Sequence, residues 1–308
     1  MKVLLVADRP GWAYDILAQS IKKHSRQEYI DIKYVSTIRD DIDQYDFSKY
    51  DVVFFFLWYD AMRYGIKVNG FDFNKTCVGI HSLSSWEGRG LSKKQASLVC
   101  NQFAATGYIS EEINHLLELK SGFSTPNGIE SSIFFATELP STDELRFMWV
   151  GNPGSAHHGI NKGFHTIIKP VLDEFVESGV RLVTATPENP VLRENMGDFY
   201  RANHVLLCAS SHEGGPMPIV EALACGRPVV TTEVGIVPEI VEDGKNGLIF
   251  TRSRTGLRNM ILKISENRSL ISEMGEYTTD SVSDRTAKDM AESYDKMFDF
   301  VFNTLREE

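Results

Sequence analysis

Long apolar runs, paired cysteines and an excess of basic charge are all missing from this 308-residue sequence. The strongest apolar stretch, Val52 to Tyr59, is far too short to cross a bilayer. The opening MKVLLVADRPGW holds too short an apolar run for a secretory leader. A cytoplasmic location with at most peripheral membrane contact is therefore expected. The four cysteines, Cys77, Cys100, Cys208 and Cys225, form no CxxC pair and sit in apolar surroundings such as HVLLCAS. They read as reduced core thiols, not as disulfides or metal ligands. A net charge of -10 disfavours a nucleic-acid backbone as partner, since such binding wants a basic face. Arg252, Arg254, Arg258 and Lys263 concentrate positive charge locally and read as a solvated helix face. A credible acidic metal motif is missing too. Asp41-Ile42-Asp43 has the letters of a DxD pair but lies in the polar run RDDIDQYD.

What is present is an ordinary globular balance, 42% apolar and 24% charged, in a chain long enough for two modest α/β domains or for one large one. Short β-branched or aromatic runs bounded by polar turns predict strands at Val3–Ala7, Ile30–Val35, Val52–Leu57, Thr76–Ile80 and Ala104–Ile109. Helical spacing runs through Ala13–Lys23 and Glu111–Leu119. The polar, aperiodic ATELPSTDE, residues 136–144, reads as a linker. A second alternation follows, with strands at Phe147–Val150, Arg181–Ala185, Val205–Ala209, Pro228–Thr232 and Leu248–Phe250, and a helix from about Lys162. Strand–helix alternation of this kind implies parallel sheets covered on both faces. The tail from Thr286 to Leu305 predicts an amphipathic helix with Met290, Tyr294, Met297, Phe298 and Val301 on one stripe.

The most informative segment is SSHEGGPMPIVEALACGRPVVTTEVGIVPEIVEDGKNGLIF, Ser210 to Phe250. Its strand Val205–Ala209 ends in a polar loop, and ligands of open parallel sheets sit at the carboxyl ends of strands. Gly214 and Gly215 let backbone approach a ligand. Pro218 suits a helix start and Gly226 the position past its end. That helix start offers amides to an anion, with Gly215, Met217 and Ile219 as the candidate donors because Pro216 and Pro218 have none. Glu213 and Glu221 bracket the loop, and a carboxylate accepting two hydrogen bonds side by side matches a vicinal diol. Taken singly, Glu221 reads equally well as a partner of the helix dipole and Glu213 as a solvated loop acid.

The whole segment resembles the signature of family 4 glycosyltransferases, whose hallmark is two glutamates separated by seven residues. EALACGRPVV, VPEIV and DGKNGLIF match its continuation, PNGI at Pro126–Ile129 looks like the family's end-of-domain motif, and NKGF at Asn161–Phe164 looks like its phosphate-site lysine motif. The resemblance implies a GT-B fold, two Rossmann-like doubly wound parallel-sheet domains facing a central cleft. Residues 1–138 would be the acceptor domain, with the helix at 286–308 packing back on it. Residues 139–285 would bind the nucleotide sugar. The implied activity is metal-independent sugar transfer, with retention, from a donor such as a UDP- or GDP-sugar to a glycan or other hydroxyl-bearing acceptor, and without a cofactor. Nucleotide-sugar binding without transfer is the alternative.

The resemblance also assigns residues. His81, which ends its strand, would lie over the donor sugar. Lys162 would meet the diphosphate, and a lysine in a first helical turn with Asn161 as cap opposes the dipole unless an anion is near. Glu213 would hold the sugar hydroxyls and Glu221 the ribose. Gly11, in the first strand–helix loop, would approach the phosphates. Asn152 stands where the family usually has an arginine, with His157 and His158 nearby to compensate. Base contacts would be largely to backbone near Thr184–Asn189. His81 and Gly11 have plain structural readings as well, a strand-end histidine and a tight turn.

Overall fold

A computed structural model describes residues 1–154 and 161–307. The chain divides into two compact units, Met1–Gly128 with Ala287–Glu308, and Ile129–Thr286.

In the first unit six parallel strands lie in the order β2-β1-β3-β4-β5-β6. They are β1 (Lys2–Ala7), β2 (Tyr29–Tyr34), β3 (Val52–Phe55), β4 (Thr76–Ile80), β5 (Ala105–Tyr108) and β6 (Gly122–Ser124). The sequence pattern did not reveal β6, because GFS is three residues long and only partly buried, so hydrophobicity leaves no run to detect. The strand order reverses between β1 and β3, which opens a crevice at their carboxyl ends. Helix α1 (Ala13–His24) follows β1 and the short α2 (Trp58–Arg63) follows β3.

The second unit holds β7 (Leu145–Val150), β8 (Val180–Ala185), β9 (Val205–Cys208), β10 (Val229–Thr231) and β11 (Gly247–Ile249). All are parallel, in the order β11-β10-β9-β7-β8, so this sheet reverses between β7 and β9. Its principal helices are α3 (Met217–Ala224) and α4 (Arg254–Glu266). Aromatic and branched residues of β7 and β9 fill its core with Leu257, Ile261 and Ile264 of α4.

The division after Gly128 falls ten residues ahead of the boundary expected at 138, and hydrogen bonds give the reason. The Ile129 amide donates to Arg285 O at 3.0 Å. Arg201 holds Ile133 O at 2.9 Å, and Arg227 holds Thr137 O and Glu138 O at 2.9 Å each. The polar stretch read as a linker is thereby bound to the second unit. Arg227 is fully buried, so protein oxygens rather than water receive the hydrogen bonds of its two Nη atoms.

The final helix α5 (Ala287–Glu307) returns to the first unit. Its stripe of Met290, Tyr294, Met297, Phe298 and Val301 joins Val3, Leu5, Ala18, Ile21 and Phe54 in one core. Phe54 meets Tyr294 edge-on at 5.2 Å between ring centroids. Removing so buried an aromatic side chain costs about 3–5 kcal/mol. Among the described residues no helix is long and apolar enough to cross a membrane.

Candidate functional site

The crevice between β7 and β9 brings together two side chains that are 51 residues apart in sequence. Lys162 Nζ donates to Glu213 Oε1 at 2.9 Å. Ser210 Oγ donates to the same oxygen at 2.8 Å. Both members of the pair are about three-quarters or more shielded, at 26% and 19% side-chain exposure. Loss of one partner therefore leaves a poorly hydrated charge.

Backbone packing places this pair. Gly163 sits at φ +69°, and a Cβ there would lie 2.7 Å from Ala209 O. Only glycine combines that dihedral with that approach to the end of β9. The Ser211 amide donates to Asn161 O at 2.8 Å, which ties the lysine loop to the glutamate loop. The expected helix start is corrected here. Asn161 and Lys162 already lie in a helical turn, and Gly163, not Asn161, leads into the helical run Phe164–Asp173.

Gly235 fixes the glutamate loop from the other side. It has φ +53°, and an added Cβ would fall 2.0 Å from Gly214 O and 2.9 Å from Glu213 O. The Ile236 amide donates to Gly214 O at 2.9 Å. Gly214 and Gly215 lead through Pro216 into α3, whose first residue is Met217. Ile219 is corrected as an anion donor: its amide is committed to Pro216 O at 2.9 Å in the first turn.

Glu221 lies one turn further along α3 and is 3% exposed. Tyr200 donates its hydroxyl to Glu221 Oε2 at 2.7 Å, and Arg193 donates to Oε1. Burial pushes this carboxyl up, while Arg193 and Tyr200 pull against that shift. Neither partner was legible in sequence, because 28 and 21 residues separate them from Glu221 and no local spacing links them.

The remaining candidates are more dispersed. Asn152, exposed after β7, turns its Oδ1 back onto the Gly154 amide at 2.9 Å. His157 and His158 lie outside the described residues. The loop after β8 closes on itself, with Thr186 and Asn189 exchanging amide hydrogen bonds at 3.1 Å. Arg252, Arg254 and Lys263 are exposed, as a solvated face requires, and the arginines are also bonded. Arg252 donates to Ala209 O and Asn161 O, Arg254 to Thr166 O, and Arg258 pairs with Glu174. These side chains staple separate elements, and Arg252 brings a second cation to the backbone that carries Lys162.

Gly11 and His81 belong to the first unit. Gly11 takes φ +75° in an exposed turn, and its amide donates to Asp15 Oδ2 at 2.7 Å. That amide therefore already serves a carboxylate. His81 stands at the end of β4 with its ring 4.9 Å from that of Tyr14 and 6.1 Å from that of Phe56. Both ring nitrogens are shielded, and neither meets hydrogen-bond geometry with a described residue. Burial lowers the imidazole pKa to about 4, with the nearby Phe56 carbonyl opposing in part. His81 is thus neutral at pH 7. Its folded value lies below the ordinary 6.5, so stability is complete above 6.5 and falls as pH drops toward 4. Thermal melts at pH 7.5 and 4.5 should show a smaller acid-induced loss of Tm in His81→Gln than in the wild type. An equal loss in both would contradict a buried neutral imidazole.

Among the described residues no three His, Cys, Asp or Glu side chains converge in a way that would hold a metal ion. The cysteines are unpaired, and burial pushes the Cys225 thiol up to about 11 and the Cys100 thiol to about 12.

Residues 183–281 match the family described as "Glycosyl transferases group 1". An uncharacterized glycosyltransferase of Methanocaldococcus jannaschii is 37% identical over 84 residues, 27% of this chain and 24% of the relative. The chain thus matches about a quarter of that relative's length. Sucrose-phosphate synthase from Thermosynechococcus elongatus superposes with a TM-score of 0.70 at 13% identity, over 99% of this chain and 100% of that one. Anabaena HepE, solved with UDP and glucose, gives 0.69 at 16% identity with both chains fully covered. Likeness at such identities carries the fold, and the fold is GT-B. The segment 183–281 is thus similar to group 1 glycosyltransferases, and the architecture around it is GT-B.

Proposed function

We propose that this chain is a family 4-type transferase moving a sugar from a nucleotide-sugar donor to an acceptor hydroxyl, with retention at the anomeric carbon and without a metal ion or cofactor. The observation that carries the reading is the Lys162–Glu213 pair at the reversal of the second sheet, beside the glycine loop that opens α3. A ligand with an anionic diphosphate next to a hydroxyl-bearing ring matches a cation and an acceptor carboxylate held 2.9 Å apart. HepE, of the same fold, was solved with UDP and glucose, which supports a nucleotide sugar as ligand of this architecture.

In this reading Lys162 and the Met217 amide face the diphosphate as its charge grows, Glu213 orients the sugar hydroxyls, and Glu221 holds the ribose. Asn152, Gly11, Gly214 and Gly215 complete the donor contacts, and the neutral His81 is assigned to the transferred sugar. The anomeric carbon–phosphate oxygen bond breaks, and the acceptor oxygen bonds to that carbon on the face the diphosphate leaves. The second unit, Ile129–Thr286, would carry the donor and the first the acceptor.

The test is donor turnover, with UDP-, GDP- and ADP-sugars in separate reactions and EDTA present throughout. Release of nucleoside diphosphate with unchanged rate in EDTA is expected. Release only after manganese is restored would overturn the metal-independent mechanism. Tight donor binding with no release, even with a panel of hydroxyl acceptors, would make the protein a nucleotide-sugar binder instead.

A further inference from the structure

The first unit has its own crevice, where the strand order reverses between β1 and β3. A pocket of about 670 Å³ lies there, lined by the loop after β1, by the helical turns that follow β2 and β3, and by Arg89 beyond β4. Its charge contrasts with that of the whole chain, which is -10. Arg9, Arg39, Arg63 and Arg89 converge on the pocket, against two lining carboxylates, Asp8 and Asp60.

These guanidiniums are arranged rather than simply solvated. Arg9 lies 3.9 Å from the Trp12 ring centre, Arg89 3.3 Å from that of Tyr59, and Arg63 5.2 Å from that of Tyr64. Stacking on a ring restricts a long side chain and leaves N–H edges for a planar anion, although Arg89 already donates one Nη to Ser85 O at 2.8 Å. Arg39 pairs with the exposed Asp40. Among the described residues no carboxylate closes an ion pair with Arg9, Arg63 or Arg89.

The two acids differ from ordinary surface carboxylates. Asp60 is 9% exposed, and Asp8 Oδ1 is shielded with no hydrogen-bond partner. A buried acceptor left without a donor is costly, and a ligand hydroxyl would satisfy it. Burial, with the charge of Asp8 adding to it, raises the Asp60 pKa to about 6, while Arg89 and Arg63 pull it down. The pocket therefore offers a surplus of cations at its mouth and hydrogen-bond acceptors deeper in.

We infer that this pocket binds a small polyhydroxylated anion, bearing a phosphate or a carboxylate, whose charge meets the arginines and whose hydroxyls meet Asp8 and Asp60. Resting on the function proposed above, that anion is the sugar acceptor, so the acceptor class is a phosphorylated or carboxylated polyol rather than a neutral glycan.

Saturation-transfer NMR on the full chain, with no nucleotide sugar present, tests the binding independently of any transferase activity. The probes are glycerol 3-phosphate, gluconate and glycerol at equal concentration. The two anions should receive saturation and glycerol should not. An Arg39→Gln/Arg63→Gln chain should lose at least tenfold in apparent affinity with an unchanged Tm, since both side chains are exposed. Arg258→Gln, in the other unit, should bind as the wild type does. Response to glycerol 3-phosphate alone places a phosphoester in the pocket, and response to both anions a general anion site. Equal response to glycerol, no response to either anion, or unchanged affinity in the folded double variant would overturn the inference.

Discussion

Lys162→Ala should lower turnover by on the order of a hundredfold or more and also weaken donor binding, because the lysine meets a charge that grows as the glycosidic bond breaks. The structure adds a second reason for a large effect. Glu213 would lose its ion-pair partner at 19% exposure and would present an uncompensated negative charge to an anionic donor. Lys162→Arg should rescue only part of the activity, since a larger, planar guanidinium cannot occupy the place of a compact ammonium. Steady-state kinetics with a melt of each variant checks this. Near-normal turnover in a folded Lys162→Ala chain would remove the lysine from the chemistry.

Glu221→Ala should raise the donor KM about ten- to a hundredfold with less effect on turnover, because a ribose contact is equal in ground and transition states. Its burial predicts a stability cost as well. Tyr200 would keep a buried hydroxyl without an acceptor, worth about 1–3 kcal/mol. Arg193 is 40% exposed on its side chain and would recover water, so it adds little. Tyr200→Phe separates the two roles. It should lower Tm while leaving the donor KM nearly unchanged, whereas Glu221→Ala should move both. If Tyr200→Phe raised the donor KM as much as Glu221→Ala does, the glutamate would act through the Tyr200 network rather than on the ribose.

Periodicity in the sequence anticipated both parallel sheets, because buried parallel strands such as VLLVA and VLLC are continuous apolar runs. The stripe on α5 was legible for the related reason that its 3.6-residue period survives in an exposed polar background. The signature segment proved to be two things at once. Arg227 clamps carbonyls of residues 137 and 138, and Asn246 bonds Ile240 O and the Glu242 amide. Gly235 makes room for the Glu213–Gly214 backbone. Much of the motif thus builds the loop, while Glu213 and the opening of α3 remain open to chemistry. What could not be read was pairing across distance. The contacts of Lys162 with Glu213 and of Glu221 with Arg193 and Tyr200 exist only once β7, β8 and β9 are side by side. The arginines of the first unit were illegible in the same way, because 80 positions separate Arg9 from Arg89 and each alone is a surface charge.

The central claim is that the crevice of the second sheet binds a nucleotide sugar through Lys162. The most direct test is a thermal-shift titration of the wild type and of Lys162→Ala with UDP-, GDP- and ADP-sugars, since a ligand that binds only the native state raises Tm with concentration. The account predicts that one nucleotide series stabilises the wild type and that Lys162→Ala, folded in its absence, loses most of that shift. No stabilisation by any of the three series, or the same shift in both chains, would contradict it.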